Sequence, residues 1–325
     1  ATLDAKVRNS LELEASGWGL EIIVCDDGST DGTGEIAARW MGQHPERIRA
    51  LGNQGEQGKA HAVAAALEVA TGEIICLTDA DVLVLNRDLS RALAHFDQPN
   101  VGAVCSLQHD SWDDRNEPLD SARISRTVYE RIRDALRLWE SRHDSTAVPH
   151  GQLMLIRRSC GVMPRPSVRA DDIDISFRLR RAGYKVQFEP QLQYVEFRER
   201  TKELRRATFV RRAEAAIEVF LIFFMEFFFR PRYGFFGVVA FPLEFTLYCI
   251  QPFCLLAMLV LVPLIAHMIF GWPGSLCGAA LIVITLLLFK NIIRMEWYLI
   301  RAMINVLRRG SAPLANRWDN PREER

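Results

Sequence analysis

Between residues 18 and 110, short apolar runs alternate with stretches whose apolar positions recur every three or four residues. That is the pattern of β-α units around a largely parallel sheet. Residues 20–25 predict a strand that ends on Asp26-Asp27-Gly28, and 73–77 a strand that ends on Thr78-Asp79-Ala80-Asp81. Residues 47–51 fit a weaker strand and 101–107 a further one, and the alanine-rich run 58–70 fits a helix halted at Gly72. Further on, 121–142 predicts a long arginine-rich helix, 152–156 a strand, 171–182 a helix and 184–188 a strand.

Beyond residue 200 the pattern changes. Arg205, Arg206, Arg211 and Arg212 are followed by an apolar run, 215–229, broken by Glu218 and Glu226. Such a run predicts a helix lying in a membrane interface rather than crossing it. Residues 245–289 then contain no Asp, Glu, Lys or Arg. One crossing needs about 20 apolar residues, so this stretch fits two, at about 237–270 and 275–294, divided by the turn residues 271–275. A buried hairpin in a soluble protein is the alternative. Arg230 and Arg232 precede the stretch, and Lys290, Arg294, Arg301, Arg308 and Arg309 follow it. By the positive-inside rule, both ends then face the cytosol at the cell's inner membrane, as a multi-pass protein. The expected divisions are a catalytic domain over 1–212, an interfacial helix over 213–232, a transmembrane hairpin over 233–310 and a cytosolic tail over 311–325.

Composition changes this picture little. The 325 residues carry 40 basic and 40 acidic side chains, so the average charge gives no reason to expect a nucleic-acid partner. The seven cysteines are scattered, with no C-x-x-C pair, and read as reduced core or membrane residues.

The candidate chemistry lies in three acidic clusters, two at predicted strand ends and one at the start of a predicted helix. Open α/β sheets place their ligands beyond the C-terminal ends of strands. Asp79 and Asp81 can both present oxygen to Mg²⁺ or Mn²⁺, although an Asp-rich turn without metal is the alternative for so short a pattern. Asp27 to Ala38 fails as a calcium loop, because Ala38 stands where a bidentate Glu is required. Residues 53–60 resemble a P-loop but have Asn53 for the first Gly and Ala60 for the magnesium-binding hydroxyl. What remains is a Gly-rich turn whose Lys59 and helix start can face phosphates. Asp171, Asp172 and Asp174 open a helix, where simple compensation of the helix dipole is the alternative to chemistry.

In order and spacing these pieces resemble the inverting family 2 glycosyltransferases with a GT-A fold. The resemblance rests on Glu21-Ile22-Ile23-Val24-Cys25-Asp26-Asp27-Gly28-Ser29-Thr30-Asp31-Gly32-Thr33 and on Asn53-x-Gly55-x-x-Gly58-Lys59-Ala60. It also rests on Asp79-Ala80-Asp81, and on Ala170-Asp171-Asp172 where the family carries Thr-Glu-Asp. It implies a nucleoside-diphosphate-sugar donor, with Asp26 and Asp27 at its base and ribose and Lys59 near its diphosphate. Asp79 and Asp81 would hold Mg²⁺ or Mn²⁺, Asp79 also lying against the donor, and Asp172 would be the general base that deprotonates the acceptor hydroxyl. The acceptor would be a lipid-linked or other membrane-proximal glycan. Tyr129-Glu130, Glu140-Ser141, Gly151-Gln152-x-x-x-x-Arg157-Arg158 and Pro231-Arg232-Tyr233-Gly234 look like the cellulose-synthase-like subset with C-terminal membrane helices.

Two departures qualify the resemblance. Thr208 to Arg212 stands where processive members carry Q-x-x-R-W, which puts polymer synthesis in doubt. The family's opening strand is also missing, and is expected just upstream of Ala1. A processive polysaccharide synthase and a non-catalytic membrane scaffold that kept the fold are the competing readings.

Overall fold

A computed structural model of the chain describes residues 2–15, 17–52, 58–111, 124–165, 168–197, 201–288 and 290–309. After helix α1 (Thr2–Leu11) the expected alternation appears: β1 (Ile22–Asp26), α2 (Thr33–Gln43), β2 (Ile48–Gly52), α3 (Lys59–Val69) and β3 (Ile74–Thr78). Then follow β4 (Val82–Val84), α4 (Ser90–Ala94), β5 (Val101–Ser111), β6 (Ile124–Ser125), α5 (Val128–His143), β7 (Leu153–Arg157), α6 (Asp171–Arg181) and β8 (Lys185–Phe197). β1 and β2 pair in parallel, as do β5 and β8 at the centre of a second sheet ordered β3-β7-β5-β8-β4. β7 enters antiparallel between β3 and β5, β4 runs antiparallel along β8, and β6 pairs antiparallel with β5. Val101, Ala103, Val104 and Cys105 are fully buried, as a central strand covered on both faces requires. β1 and β3 belong to different hydrogen-bonded sheets, and both line one deep cleft.

Helix α5 starts at Val128, because Thr127 and Glu130 close a reciprocal capping box there. Glu140 and Ser141, which carried part of the resemblance, lie at the other end of this helix, in the core. Glu140 accepts from the Thr146 hydroxyl and the Ala147 amide, each at 3.1 Å, and Ser141 accepts from the Phe188 amide at 2.9 Å. They fasten α5 to β8 and its neighbouring loop.

The expected divisions after residue 200 need correction. Helix α7 (Lys202–Phe227) is continuous, so no boundary falls at 212/213. Ala216, Ile217, Phe220, Phe223 and Phe227 on one face are buried, while Leu221, Ile222 and Met225 are exposed. The buried face packs on α6 through Phe177, whose ring lies 5.1–6.0 Å from those of Phe220, Phe223, Phe227, Phe236 and Phe241. Residues 236–250, including α8 (Phe241–Phe245), therefore belong to the core of the α/β domain and not to a membrane crossing. Burying each such ring contributes about 1.5–3 kcal/mol, which holds this stem in place. The stem's Glu244 is fully buried, 2.9 Å from Arg133 of α5.

The long apolar helix α9 (Gln251–Leu288) reverses where the turn was expected. Gly271 has φ 65° and ψ −152°, a conformation that glycine tolerates and L side chains rarely adopt. A Cβ on Gly278 would lie 2.9 Å from Pro263 Cα, and one on Gly274 would overlap the Ala266 carbonyl. The two glycines, four residues apart, thus let the arms of a hairpin touch. The apolar residues outside that contact are exposed, Met268 at 77 % and Phe270 at 70 %. Helix α10 (Lys290–Arg309) then returns to the α/β domain, burying Ile300, Ala302, Met303 and Val306 beside α7. Asn305 and Arg309 bond Glu214 of α7 at 2.7 and 2.9 Å. The hairpin itself is thus confined to 251–288. The expected tail, 311–325, lies outside the described residues.

Candidate active site

A cleft of about 1880 Å³ opens between the ends of β1 and β3, the start of α3 and α6, and the facing sides of α7 and α10. Asp26 and Asp27 reach it from the end of β1, Asp79 and Asp81 from the turn between β3 and β4, and Asp171 from the first turn of α6. The folded chain thus gathers all three acidic clusters at one place. Asp26 Oδ1 accepts from the Ser29 amide at 3.1 Å, shaping the turn. Asp27 Oδ2 accepts from the Gly58 amide at 2.7 Å, which fixes the start of α3 against β1. Asp31, from the same run, points elsewhere and accepts from the Thr33 amide and hydroxyl as α2 begins. Of the expected Gly-rich turn, 53–57 lie outside the described residues.

Lys59 ties the clusters together. Its Nζ lies 2.9 Å from Asp79 Oδ1 and 3.3 Å from Asp171 Oδ2. Burial pulls the ammonium's pKa down, but the two carboxylates outweigh it and hold it well above the ordinary lysine range. Lys59 is therefore a fixed positive charge at pH 7. Beneath the Asp79–Asp81 turn, buried Lys6 donates to the Thr78 hydroxyl at 2.7 Å and the Val82 carbonyl at 3.0 Å, while the Asp79 amide donates to the Gln152 carbonyl at 3.1 Å. The turn is held at both ends.

Asp172 sits against Gly151. A Cβ added there would lie 2.5 Å from Asp172 Cβ and 2.9 Å from its Oδ2, so only glycine lets this aspartate approach. Burial, and then the charge of Asp171, push the Asp172 carboxyl up to about 6. That is a value suited to accepting a proton near neutral pH. Asp174 turns away from the cleft and is fully buried, bonded by Arg165 and Arg178 at 3.0 and 3.3 Å. Gly151→Ala should therefore displace the Asp172 carboxylate. Turnover is expected to fall by at least about 100-fold, since a misplacement of 1 Å can cost that much. Unchanged melting temperature and nucleotide affinity in the same protein would show that only the Asp172 carboxylate had moved.

The strands and helices also bring up residues that no motif marked. Glu196 on β8 lines the cleft, held by Arg212 at 2.6 Å and by Gln108 at 2.6 Å. Tyr194 bonds Gln152 at 2.8 Å and Gln108 at 3.0 Å behind it. No spacing in the sequence distinguishes these from ordinary strand residues; the Gln152 of the Gly151-Gln152 pair was the one available signal. Lys202, Arg206 and Arg294 form a basic wall of the same cleft, although the first two precede a helix read as interfacial.

Among the described residues no group of three His, Cys, Asp or Glu side chains could by itself cage a metal ion. Two carboxylates on a pinned turn do fit the mode in which Mg²⁺ takes one or two protein carboxylates and completes its shell with substrate phosphates.

Residues 6–160 match the profile described as Glycosyl transferase family 2. A putative glycosyltransferase from Bacillus subtilis, EpsE, is 32 % identical over 97 residues, covering 30 % of this chain and 34 % of the relative. A beta-monoglucosyldiacylglycerol synthase from Nostoc is 26 % identical over 211 residues, 59 % of this chain and 42 % of the relative. The chain spans about a third of the length of the first curated relatives it matches. The solved structure of the mannosyltransferase PcManGT from Pyrobaculum calidifontis, in complex with GDP-Man and Mn²⁺, superposes with a TM-score of 0.73 at 26 % identity. That match covers 94 % of this chain and 83 % of the other. With its β-α order, its gathered carboxylates and these matches, residues 6–160 carry a glycosyltransferase family 2 domain, within a chain that has a GT-A-like α/β fold.

Proposed function

We propose that the protein is an inverting glycosyltransferase that moves a sugar from a nucleoside-diphosphate sugar to a hydroxyl of a lipid-linked or membrane-proximal acceptor. The observation that carries this reading is the convergence of Asp26/Asp27, Asp79/Asp81, Lys59 and Asp171 on one cleft beside an exposed apolar hairpin, with Asp172 packed directly against Gly151 of the cleft wall. Asp26 and Asp27 bind the donor's base and ribose, and Lys59 lies at the diphosphate. Asp79 and Asp81 hold Mg²⁺ or Mn²⁺, which supplies charge neutralisation for the departing nucleoside diphosphate. Asp172 takes the acceptor's proton from the face opposite the leaving group, which inverts the anomeric carbon. The neighbour that binds GDP-Man with Mn²⁺ supports the donor class, and the diacylglycerol-glucoside synthase among the relatives supports a lipid acceptor. Metal-dependent release of sugar from UDP- or GDP-sugars by the purified chain tests the reading. Its absence across both nucleotides and both metals would remove it.

In the same reading the hairpin crosses a membrane twice, with the catalytic domain on the cytosolic side. Beyond the buried stem, the hairpin 251–288 supplies most of the apolar helical run 236–283, which has mean hydropathy 2.6 in its best window and none of that window buried. A single cysteine placed at Ser275, in a chain otherwise free of cysteine, is expected to react with an impermeant maleimide only from the non-cytosolic side. Labelling from the cytosolic side would reject this topology.

A further inference from the structure

We propose that the seam between α7 and α10 is a binding site for the phosphate of an anionic acceptor lipid; this rests on the transferase reading of the cleft. Phe209 of α7 packs on Tyr298 of α10 with ring centroids 5.8 Å apart, and the Arg206 guanidinium lies over the same Tyr298 ring at 5.3 Å. Lys202 is one turn before Arg206 on α7, and Arg294 one turn before Tyr298 on α10, so three cations share one patch. Lys202, Arg206 and Arg294 are all exposed and all line the cleft. Among the described residues none of the three forms an ion pair, whereas Arg212, further along α7, is held by Glu196 at 2.6 Å.

Like charges at this spacing repel on a helix surface. Three of them converging on a concave wall from two packed helices make a site for an anion that touches several at once. Two anions can enter the cleft. The donor's diphosphate has its own positive charge at Lys59, beside Asp79, on the α3 wall. The α7–α10 patch is on other elements, those that frame the hairpin: α7 runs into the stem, and α10 begins two residues after α9 ends. An acceptor lipid whose chains lie along the hairpin would bring its headgroup to this wall first. The geometry therefore assigns the patch to a phosphate on the acceptor, with Tyr298 as the apolar floor for the first carbons of the lipid.

Decyl phosphate, decanol, inorganic phosphate, UDP and GDP serve as probes in calorimetric titrations of the full chain in neutral detergent, the two nucleotides with Mn²⁺ present. Decyl phosphate is expected to bind at least about tenfold more tightly than either decanol or inorganic phosphate. Arg206→Gln/Arg294→Gln should weaken it by about tenfold or more, with UDP and GDP affinities kept within about twofold. Arg301→Gln, on the same helix but outside the cleft lining, should change neither. Equal binding of decanol overturns the anionic assignment, and equal binding of inorganic phosphate overturns the lipid one. Loss of nucleotide affinity in the double variant would return the patch to the donor. Failure of UDP and GDP to bind the unsubstituted chain would instead count against the transferase reading itself.

Discussion

Asp172→Asn is expected to lower turnover by about 10²–10⁴-fold while leaving nucleoside-diphosphate affinity nearly intact. Among the described residues the hydrogen bond of this carboxylate is local, its Oδ1 accepting from the Ile173 amide at 2.9 Å, and the side chain packs on Gly151. Its neighbour Asp171 instead lies 3.3 Å from Lys59, which the proposed reading places at the donor's diphosphate. The pH profile gives an independent reading. Burial and Asp171 raise the Asp172 pKa to about 6, so below that pH the carboxyl is protonated and cannot accept the acceptor's proton. The acid limb of kcat/KM should fall there, with a plateau above it. Asp171→Asn removes one of the two causes and should move the limb to lower pH, whereas Asp172→Asn should abolish it. Near-normal turnover in Asp172→Asn, or failure only through loss of the nucleotide, would end the assignment. Asp174→Asn should act differently from both. It leaves Arg165 and Arg178 without a buried carboxylate, so roughly 1–3 kcal/mol of stability should be lost with little change in the chemistry of the folded protein.

On the proposed reading, removing the divalent ion, or one of the two carboxylates that would hold it, should have the second large effect. With excess chelator, or in Asp81→Ala, nucleoside-diphosphate affinity is expected to drop by more than about 100-fold, since even outer-shell partners of a metal account for 10–100-fold. The physical reason is charge. Asp79 and Asp81 face the site from one short turn, and without an intervening cation a diphosphate would meet two carboxylates directly. Lys59, drawn towards Asp79 and Asp171, only partly offsets them. Calorimetry with UDP and GDP, with and without Mn²⁺, reads this out. Affinity unaffected by both chelator and Asp81→Ala would mean that the turn is structural.

The sequence by itself determined the β-α alternation, the acidic strand ends and the hairpin turn, because each is written in contiguous residues. Apolar runs that end on Asp26-Asp27 and on Asp79-x-Asp81 are local facts, and so is a glycine at 271 between two uncharged stretches. The order and spacing of those runs were enough to bring up the family resemblance. Tertiary structure alone decided which side chains meet across the chain. Lys59 bridges to Asp79 and Asp171, Gly151 makes room for Asp172, and Glu196 faces the cleft; these contacts span tens of residues and leave no periodicity to read. The stem was misread for a related reason. Phenylalanines that face lipid and phenylalanines that pack on Phe177 have the same composition and hydropathy, so only the position of α6 shows that 236–250 belongs to the domain core. Likewise the arginines of α7 look the same in sequence whether they flank a membrane or line a cleft. The packing of Tyr298 on Phe209, which sets α10 beside α7, is what turns Arg206 and Arg294 toward the same space.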